Sequence, residues 1–257
     1  MANAQQYPSV WTRPRPRRRE HPALSREQIV AEALKLLDAD GIDALSMRRL
    51  GAALNAGATS LYTHVANKDE LIELVVDRVL GEIELPAEDD WRPAMETAAR
   101  RLRAIILGHP WIAAVLDGVG TSFFGPNMMR ITERLLGVQV MAGFTVQDAD
   151  ESLKLVFAYV IGLGAGEAAA LTRLRRDGWT EQDVLDSRLP DAEALAEAGF
   201  PLLSSVYIGY RGRPPVEMRE LSFEYGLARI LEGVAAQHER TQHEHTQPER
   251  THHERIR

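Results

Sequence analysis

The chain has 257 residues, 45% of them hydrophobic, no cysteine and a formal net charge of −7. This length suggests one large domain, or one domain with a smaller one, and it is enough to bury a core. The lack of cysteine excludes disulfides, thiolate metal sites and a cysteine nucleophile. We find no signal peptide and no apolar run near the ~20 residues that span a bilayer, so we expect a cytoplasmic protein without a membrane partner.

The charge is divided unevenly along the chain. Residues 1–68 carry ten basic and six acidic side chains, whereas residues 69–257 carry 20 basic and 31 acidic ones. A basic first quarter joined to an acidic remainder indicates that one end of the chain meets a polyanion. The net charge of −7 therefore does not argue against nucleic acid as a partner.

Both ends of the chain have compositions that do not support a packed core. Residues 1–22 interleave arginine with proline and predict a disordered basic arm, either a solvated charge run or a segment that contacts phosphates or the minor groove. Residues 237–257 repeat a polar, histidine-rich pattern of five residues. We expect a disordered tail there, with weak metal binding as the alternative.

Between these ends the spacing of hydrophobic residues is helical almost throughout, and glycine and proline mark the breaks. The pattern predicts an all-α protein of nine or ten helices. It places a three-helix helix-turn-helix domain at residues 23–80 and a larger helical domain at residues 81–236.

Capping signals locate the first and fourth helices. Residues 25–28 match a capping box, which begins the first helix, and Gly41 suits the left-handed conformation that ends it. Residues 67–70 predict a second capping box at the start of the fourth helix.

Two short helices are expected between these two. Ser46 is predicted to cap a helix from Met47 to Leu54, and a third helix is expected from Ala58 to Val65. Asn55 and Gly57, which tolerate positive φ, lie between them. Two short helices joined by a tight turn and packed on a longer first helix form a helix-turn-helix, whose second helix enters the major groove of DNA.

The third helix has the composition of a recognition helix. Apolar residues at helical spacing should hold it to the domain, and its other face carries hydroxyls and rings without an acidic residue that would repel DNA. The side chains on that face are Thr59, Ser60, Tyr62, Thr63 and His64. For Tyr62 a ring packed on the domain, and for His64 a local cap, are the alternative roles.

Residues 41–71 resemble the DNA-binding domain of the TetR family of bacterial repressors. The most specific part of the resemblance is the pattern Leu61-Tyr62-x-His64-Val65-x-Asn67-Lys68-x-x-Leu71. It implies a homodimer that binds two half-sites of double-stranded operator DNA and is released by a small molecule. The residues that it implies for DNA binding are Ser46, Arg48, Thr59, Ser60, Tyr62, Thr63, His64 and Lys68.

The acidic part of the chain should bind the effector and form the dimer. The resemblance implies that two long helices, predicted at residues 147–177 and 217–236, form a four-helix interface between subunits; packing within one subunit is the alternative. Aromatic and methionine side chains near helix breaks, with two polar anchors, are candidates for the effector site or for plain core. They are His109, Trp111, Phe123, Phe124, Met128, Phe157 and Glu167.

No metal and no cofactor is expected. Residues 118–121 lack the histidine that tetracycline-responsive members of the family use for a metal-bound drug, and Gly166 stands where a carboxylate would be expected. The sequence also shows no Ser-His-Asp motif, phosphate loop or histidine-pair metal site, which disfavours an enzyme. The acidic remainder disfavours a non-specific architectural DNA-binding protein. We therefore predict a ligand-responsive repressor, with an activator of the same fold as the alternative.

Overall fold

The structure is a computed structural model in which residues 24–85, 89–116 and 125–246 are described. In these three ranges the regular structure consists of eleven α-helices and one 3₁₀ turn, without a strand. The prediction of an all-α fold is confirmed. The chain divides into two compact units, Met1–Gly143 and Phe144–Arg257. The predicted basic arm lies outside the described residues.

The first unit begins with capped helices, as predicted. Ser25 and Gln28 form the capping box of the first helix, which ends at Gly41 with a φ of 78°. The helices described in this unit are α1 (Arg26–Asp40), α2 (Met47–Ala53), α3 (Ala58–Tyr62), α4 (Lys68–Leu80), α5 (Trp91–Gly108), α6 (Ile112–Leu116) and α7 (Pro126–Met141), with the 3₁₀ turn Ile42–Ala44 before α2.

Helix α4 is the central element of the first unit. It packs against α1, α5 and α7, and most of its residues are buried around its whole circumference. A helix that is covered on all sides needs apolar side chains on all sides. In α4 these are supplied by three apolar pairs, Leu71-Ile72, Val75-Val76 and Val79-Leu80, all of which are buried. α4 therefore joins the DNA-binding helices to the remainder of the unit.

A buried carboxylate on α4 holds the first turn of α7. Asp77 is 7% exposed. The backbone N–H of Asn127 donates to its Oδ1 at 2.8 Å, and the Asn127 side-chain amide donates to its Oδ2 at 2.9 Å and to its carbonyl at 3.0 Å. Gly81 permits this close approach, because a Cβ there would lie 3.0 Å from the Asn127 amide nitrogen. The two hydrogen bonds to the carboxylate oxygens compensate the burial of the charge.

The second unit consists of two long helices and a short helical pair. Its helices are α8 (Val146–Asp177), α9 (Glu181–Glu197), α10 (Pro201–Ile208) and α11 (Pro215–Thr246). α8 packs against α11 through a buried row that includes Val156, Val160, Phe223 and Leu227. Gly178, with a φ of 74°, ends α8 in a left-handed cap.

Helices α9 and α10 pack mainly on each other. The guanidinium of Arg211 donates two hydrogen bonds to the carboxylate of Glu193, at 2.7 and 2.8 Å. This charged pair lowers the pKa of the Glu193 carboxyl and raises the pKa of the Arg211 guanidinium. The pair therefore connects helix α9 to the segment that comes after α10.

Two expectations about the second unit need correction. Helix α11 continues to Thr246, so the tail predicted as disordered from residue 237 is helical over its first ten residues. Two contacts favour this extension: Arg240 donates to the side chain of Gln237 within the helix, and the His238 ring stacks on the distant Phe144 with ring centroids 3.8 Å apart. The second correction concerns apolar runs, of which none near the length that spans a bilayer was expected. Helix α8 is long and apolar enough to cross a membrane by length and composition, although a core helix passes the same test.

We expect Gly226→Ala to destabilise the second unit, although alanine favours helices. A Cβ at Gly226 would lie 2.3 Å from the Tyr159 hydroxyl, which donates to the carbonyl of Phe223 at 2.9 Å. Displacing the ring would break this bond, at a cost of about 1–3 kcal/mol. Gly233→Ala is the matched control, because a Cβ there meets nothing within 4 Å. It should stabilise by about 0.5–1 kcal/mol. Equal unfolding midpoints for both variants would contradict this prediction.

Candidate nucleic-acid interface

The turn between α2 and α3 is built by local signals. The Ser46 hydroxyl accepts the backbone N–H of Arg49 at 3.2 Å and so caps α2. Asn55 follows this helix with a φ of 50°, and it is the one non-glycine residue with positive φ in the described part of the chain. Asparagine tolerates this conformation because its short side chain can form local hydrogen bonds. Of the two residues expected to tolerate positive φ in this turn, Asn55 adopts it, whereas Gly57 is extended with a φ of −66°.

We expect Asn55→Val to destabilise the helix-turn-helix by about 1–2 kcal/mol, because a β-branched side chain crowds the backbone at positive φ. Asn55→Gly should be neutral or slightly stabilising, since glycine adopts this region without strain. Thermal unfolding of both variants checks the sign. Equal stability of the valine and glycine variants would argue against the positive φ.

Helix α3 is shorter than predicted. It ends at Tyr62 rather than Val65, although hydrogen bonds from the N–H groups of His64 and Val65 to the carbonyl of Leu61 continue the turn. Five residues cannot form a stable helix alone, so tertiary contacts must hold it. Leu50, Leu61 and Val65 are fully buried and provide these contacts.

The predicted recognition face is open to solvent. Thr59, Ser60 and Thr63 are exposed, and Tyr62 keeps 51% of its surface exposed. Thr63 donates its hydroxyl hydrogen to the carbonyl of Ser60 at 2.7 Å, so its oxygen remains as an acceptor. About half of the Tyr62 surface is covered by the domain, so a partly packed ring and a contact with DNA are compatible. This face presents hydroxyls and one phenol, which are groups that contact phosphates and base edges.

His64 has a mixed environment at the end of this face. Its side chain is half-buried, and its carbonyl accepts a hydrogen bond from the guanidinium of Arg26 at 3.1 Å. Arg26 lies in the first turn of α1, so this bond ties α1 to the end of α3. Nothing in the sequence pattern predicted that Arg26 would contact the end of α3.

Two arginines on α2 have different surroundings. Arg49 forms an ion pair with Asp40, whereas Arg48 is exposed and no carboxylate pairs with it among the described residues. The sequence contains no acidic residue from Ala44 to Lys68. The exposed part of α2 and α3 is therefore a surface with uncompensated positive charge.

Lys68 begins α4 next to this surface. Asn67 caps the helix by accepting the N–H of Glu70 at 2.8 Å. The predicted capping box is incomplete, because the Glu70 carboxylate accepts the N–H of Ala66 rather than that of Asn67. The ammonium of Lys68 donates to the carbonyl of Ile42 at 2.9 Å, which orients it and leaves two of its three donors for a phosphate.

Within each unit, the predicted effector residues that the structure describes have partners of their own. His109 and Trp111 both bind the carboxylate of Asp38, and Glu167 lies 3.9 Å from the guanidinium of Arg219. Phe157 is buried and Met128 is half-buried, while Phe123 and Phe124 lie outside the described residues.

A cleft of about 740 Å³ lies elsewhere, in the second unit. Parts of α8, α9 and α11 line it, and Trp179 is among its residues. None of the seven predicted effector residues contributes to it, so the effector site stays a prediction.

Two short helices joined by a tight turn, the first carrying the exposed Arg48 and packed on the longer α1, define a helix-turn-helix DNA-binding protein. Comparison with known proteins agrees: residues 29–75 match the model described as bacterial regulatory proteins, tetR family. Residues 83–238 match the tetracyclin repressor-like C-terminal domain. The chain belongs to the TetR family of bacterial transcriptional regulators, which are not enzymes.

Several relatives share most of the chain. An HTH-type transcriptional regulator from Saccharopolyspora erythraea is 34% identical over 89% of this chain and 92% of its own length. The HTH-type transcriptional repressor DrrR1 of Streptomyces coeruleorubidus is 32% identical, over 86% of this chain and 80% of its own.

Solved structures are similar as well. ActR from Streptomyces coelicolor, in complex with actinorhodin, has a TM-score of 0.67 and 32% identity over 84% of this chain and 98% of its own. BioQ with its double-stranded DNA operator has a TM-score of 0.52 and 32% identity, covering 60% of this chain and 93% of its own. TetR-family proteins bind operator DNA as dimers.

Proposed function

We propose that this chain is a ligand-responsive transcriptional repressor, which acts in the cytoplasm and binds a palindromic operator as a homodimer. The observation that carries the proposal is the exposed, acid-free surface of α2 and α3 beside Lys68. The repressor name of DrrR1 and the operator bound to BioQ support the same assignment.

The operator should reflect the symmetry of the dimer. Two recognition helices related by a two-fold axis read half-sites one helical turn apart, about 34–36 Å or 10–10.5 base pairs, or a multiple of that. Selection from a random DNA pool with the full-length protein should recover an inverted repeat with such spacing. We call the recovered sequence the selected DNA. Recovery of sequences without symmetry would contradict dimeric recognition.

Binding should depend steeply on salt, because basic side chains displace counterions from phosphates. Arg48 and Lys68 from two subunits give four such contacts, and four contacts predict a slope of about −3.6 in log affinity against log salt. Anisotropy titrations of the selected DNA at several salt concentrations measure this slope. A slope near zero would exclude the phosphate contacts assigned to these residues.

The response to a ligand rests on a shift between dimer states. A small molecule that binds better to a dimer whose recognition helices do not fit the operator spacing would release the DNA. Because ActR binds actinorhodin, this compound is the first probe to add to the complex of the protein with selected DNA. Release in proportion to the compound would identify an effector. In vitro transcription across the selected DNA then separates repression, which lowers transcript yield, from activation, which raises it.

A further inference from the structure

The carboxylate of Asp38 binds two side chains from a distant part of the first unit. Its Oδ1 atom lies 2.7 Å from Nδ1 of His109 and accepts the indole N–H of Trp111 at 2.8 Å. Both partners belong to the junction between α5 and α6, some 70 residues further along the chain. On the other side of the imidazole, Glu82 lies 4.0 Å from Nε2 of His109. The last turn of α1 is thus connected to the α5–α6 junction through Nδ1 of His109 and the indole nitrogen of Trp111.

The first turn of the same helix holds the end of the recognition helix. The guanidinium of Arg26 donates to the carbonyl of His64, in the turn that closes α3. Arg26 and Asp38 are twelve residues apart on α1, a distance of about 18 Å along the helix axis. Between them Ile29, Ala33 and Leu37 are buried, so the helix is fixed along its length by the core.

We propose that Asp38 is a positioning residue for DNA recognition: through α1 it sets the orientation of the end of α3 relative to the α5–α6 junction. The inference rests on the proposed DNA-binding function. Helix α1 connects the two ends by hydrogen bonds from side chains at both of its termini. Because coupling between two sites is reciprocal, DNA bound at α3 should change the surroundings of Trp111.

The chemistry of the cluster makes the connection sensitive to a single charge. A carboxylate oxygen shared by two N–H donors forms charge-assisted hydrogen bonds, which are about twice as strong as neutral ones. Asparagine at position 38 keeps the shape and one acceptor oxygen but loses the charge. It should therefore weaken the junction without removing the helix that carries it.

Trp111 itself is the reporter for the test. A full-length protein in which Trp11, Trp91 and Trp179 are changed to phenylalanine retains Trp111 as its one tryptophan. We expect the emission maximum of Trp111 to shift when selected DNA is added. Asp38→Asn should reduce this shift by about half or more.

Arg26→Gln provides a second variant at the far end of α1, where the side chain is partly exposed. It should reduce the Trp111 shift in the same way. Glu32→Gln is the matched control, because Glu32 lies on the same helix and pairs with Lys35 at 2.9 Å. This control should leave the shift unchanged.

The outcomes separate the two proposals. Two results would overturn the positioning role alone. The first is salt-dependent DNA binding without a shift in the Trp111 emission maximum. The second is a shift that neither Asp38→Asn nor Arg26→Gln reduces. Failure to recover or bind any selected DNA would overturn the proposed function and this role together. A shift that is reduced by both variants and kept by the control supports the role.

Discussion

Alanine at both Arg48 and Lys68 is expected to weaken binding of the selected DNA by roughly 10²–10³-fold, independently of its sequence. In the proposed complex each side chain supplies one phosphate contact per subunit, so a dimer would lose four contacts at about 1 kcal/mol each. Phosphate contacts position the protein without reading bases. The slope of log affinity against log salt should change from about −3.6 to a value near zero. Anisotropy titrations at several salt concentrations measure both quantities.

Lys35→Ala is the control for this variant. Lys35 is an exposed lysine on α1 that pairs with Glu32, so its removal lowers the net charge but leaves the α2–α3 surface intact. It should change affinity only slightly. Tyr62→Phe and Tyr62→Ala then separate the phenol hydroxyl from the ring at the centre of the surface. An Arg48/Lys68 double variant that binds like the wild type would reject this surface as the DNA interface.

Asp77→Ala is expected to cause the largest loss of stability, about 2–4 kcal/mol. The change removes the buried carboxylate that accepts two hydrogen bonds, one from the backbone N–H and one from the side-chain amide of Asn127. The backbone carbonyl of residue 77 remains, so one contact can persist. Denaturant unfolding followed by circular dichroism measures the free energy of unfolding.

Asp69→Ala is the matched control on the same helix, because Asp69 is exposed. It should cost no more than about 0.5–1 kcal/mol, through the loss of a favourable charge in the first turn of α4. Asn127→Ala tests the other side of the contact, and it should cost less than Asp77→Ala because its backbone N–H still has an acceptor. Equal free energies for the Asp69 and Asp77 variants would show that the buried contact contributes nothing measurable.

The helix-turn-helix was predictable because its signals are local. Ser25 and Ser46 bond to backbone groups three residues away, and Asn55 adopts the positive φ that its side chain tolerates. Such bonds depend on sequence separation alone, so a pattern of residue types predicts them. The boundaries were less accurate: α3 ends three residues early and α11 continues ten residues beyond its expected end.

Two of the predicted effector residues make contacts that residue types alone do not predict. A histidine and an aromatic side chain beside a helix break are typical of a binding pocket, which favours His109 and Trp111 as effector contacts, and this stays a prediction. In the structure both bind Asp38, a residue about 70 positions earlier that no local pattern marks. Nothing in the sequence pairs a carboxylate with two ring nitrogens at such a separation.

The helical class, the capped helix-turn-helix and the uneven charge that places a basic surface at one end of an acidic protein all follow from the amino-acid sequence. Periodicity and caps act over three or four residues, and charge is a property of composition, so neither requires the fold. The packing of the helices was needed to show that Arg48 is unpaired in the described part of the chain while Arg49 is neutralised by Asp40. It was also needed to show that Asp38 and Asp77 connect helices distant in sequence. These contacts depend on which helices pack together, and that is set by burial of the whole core.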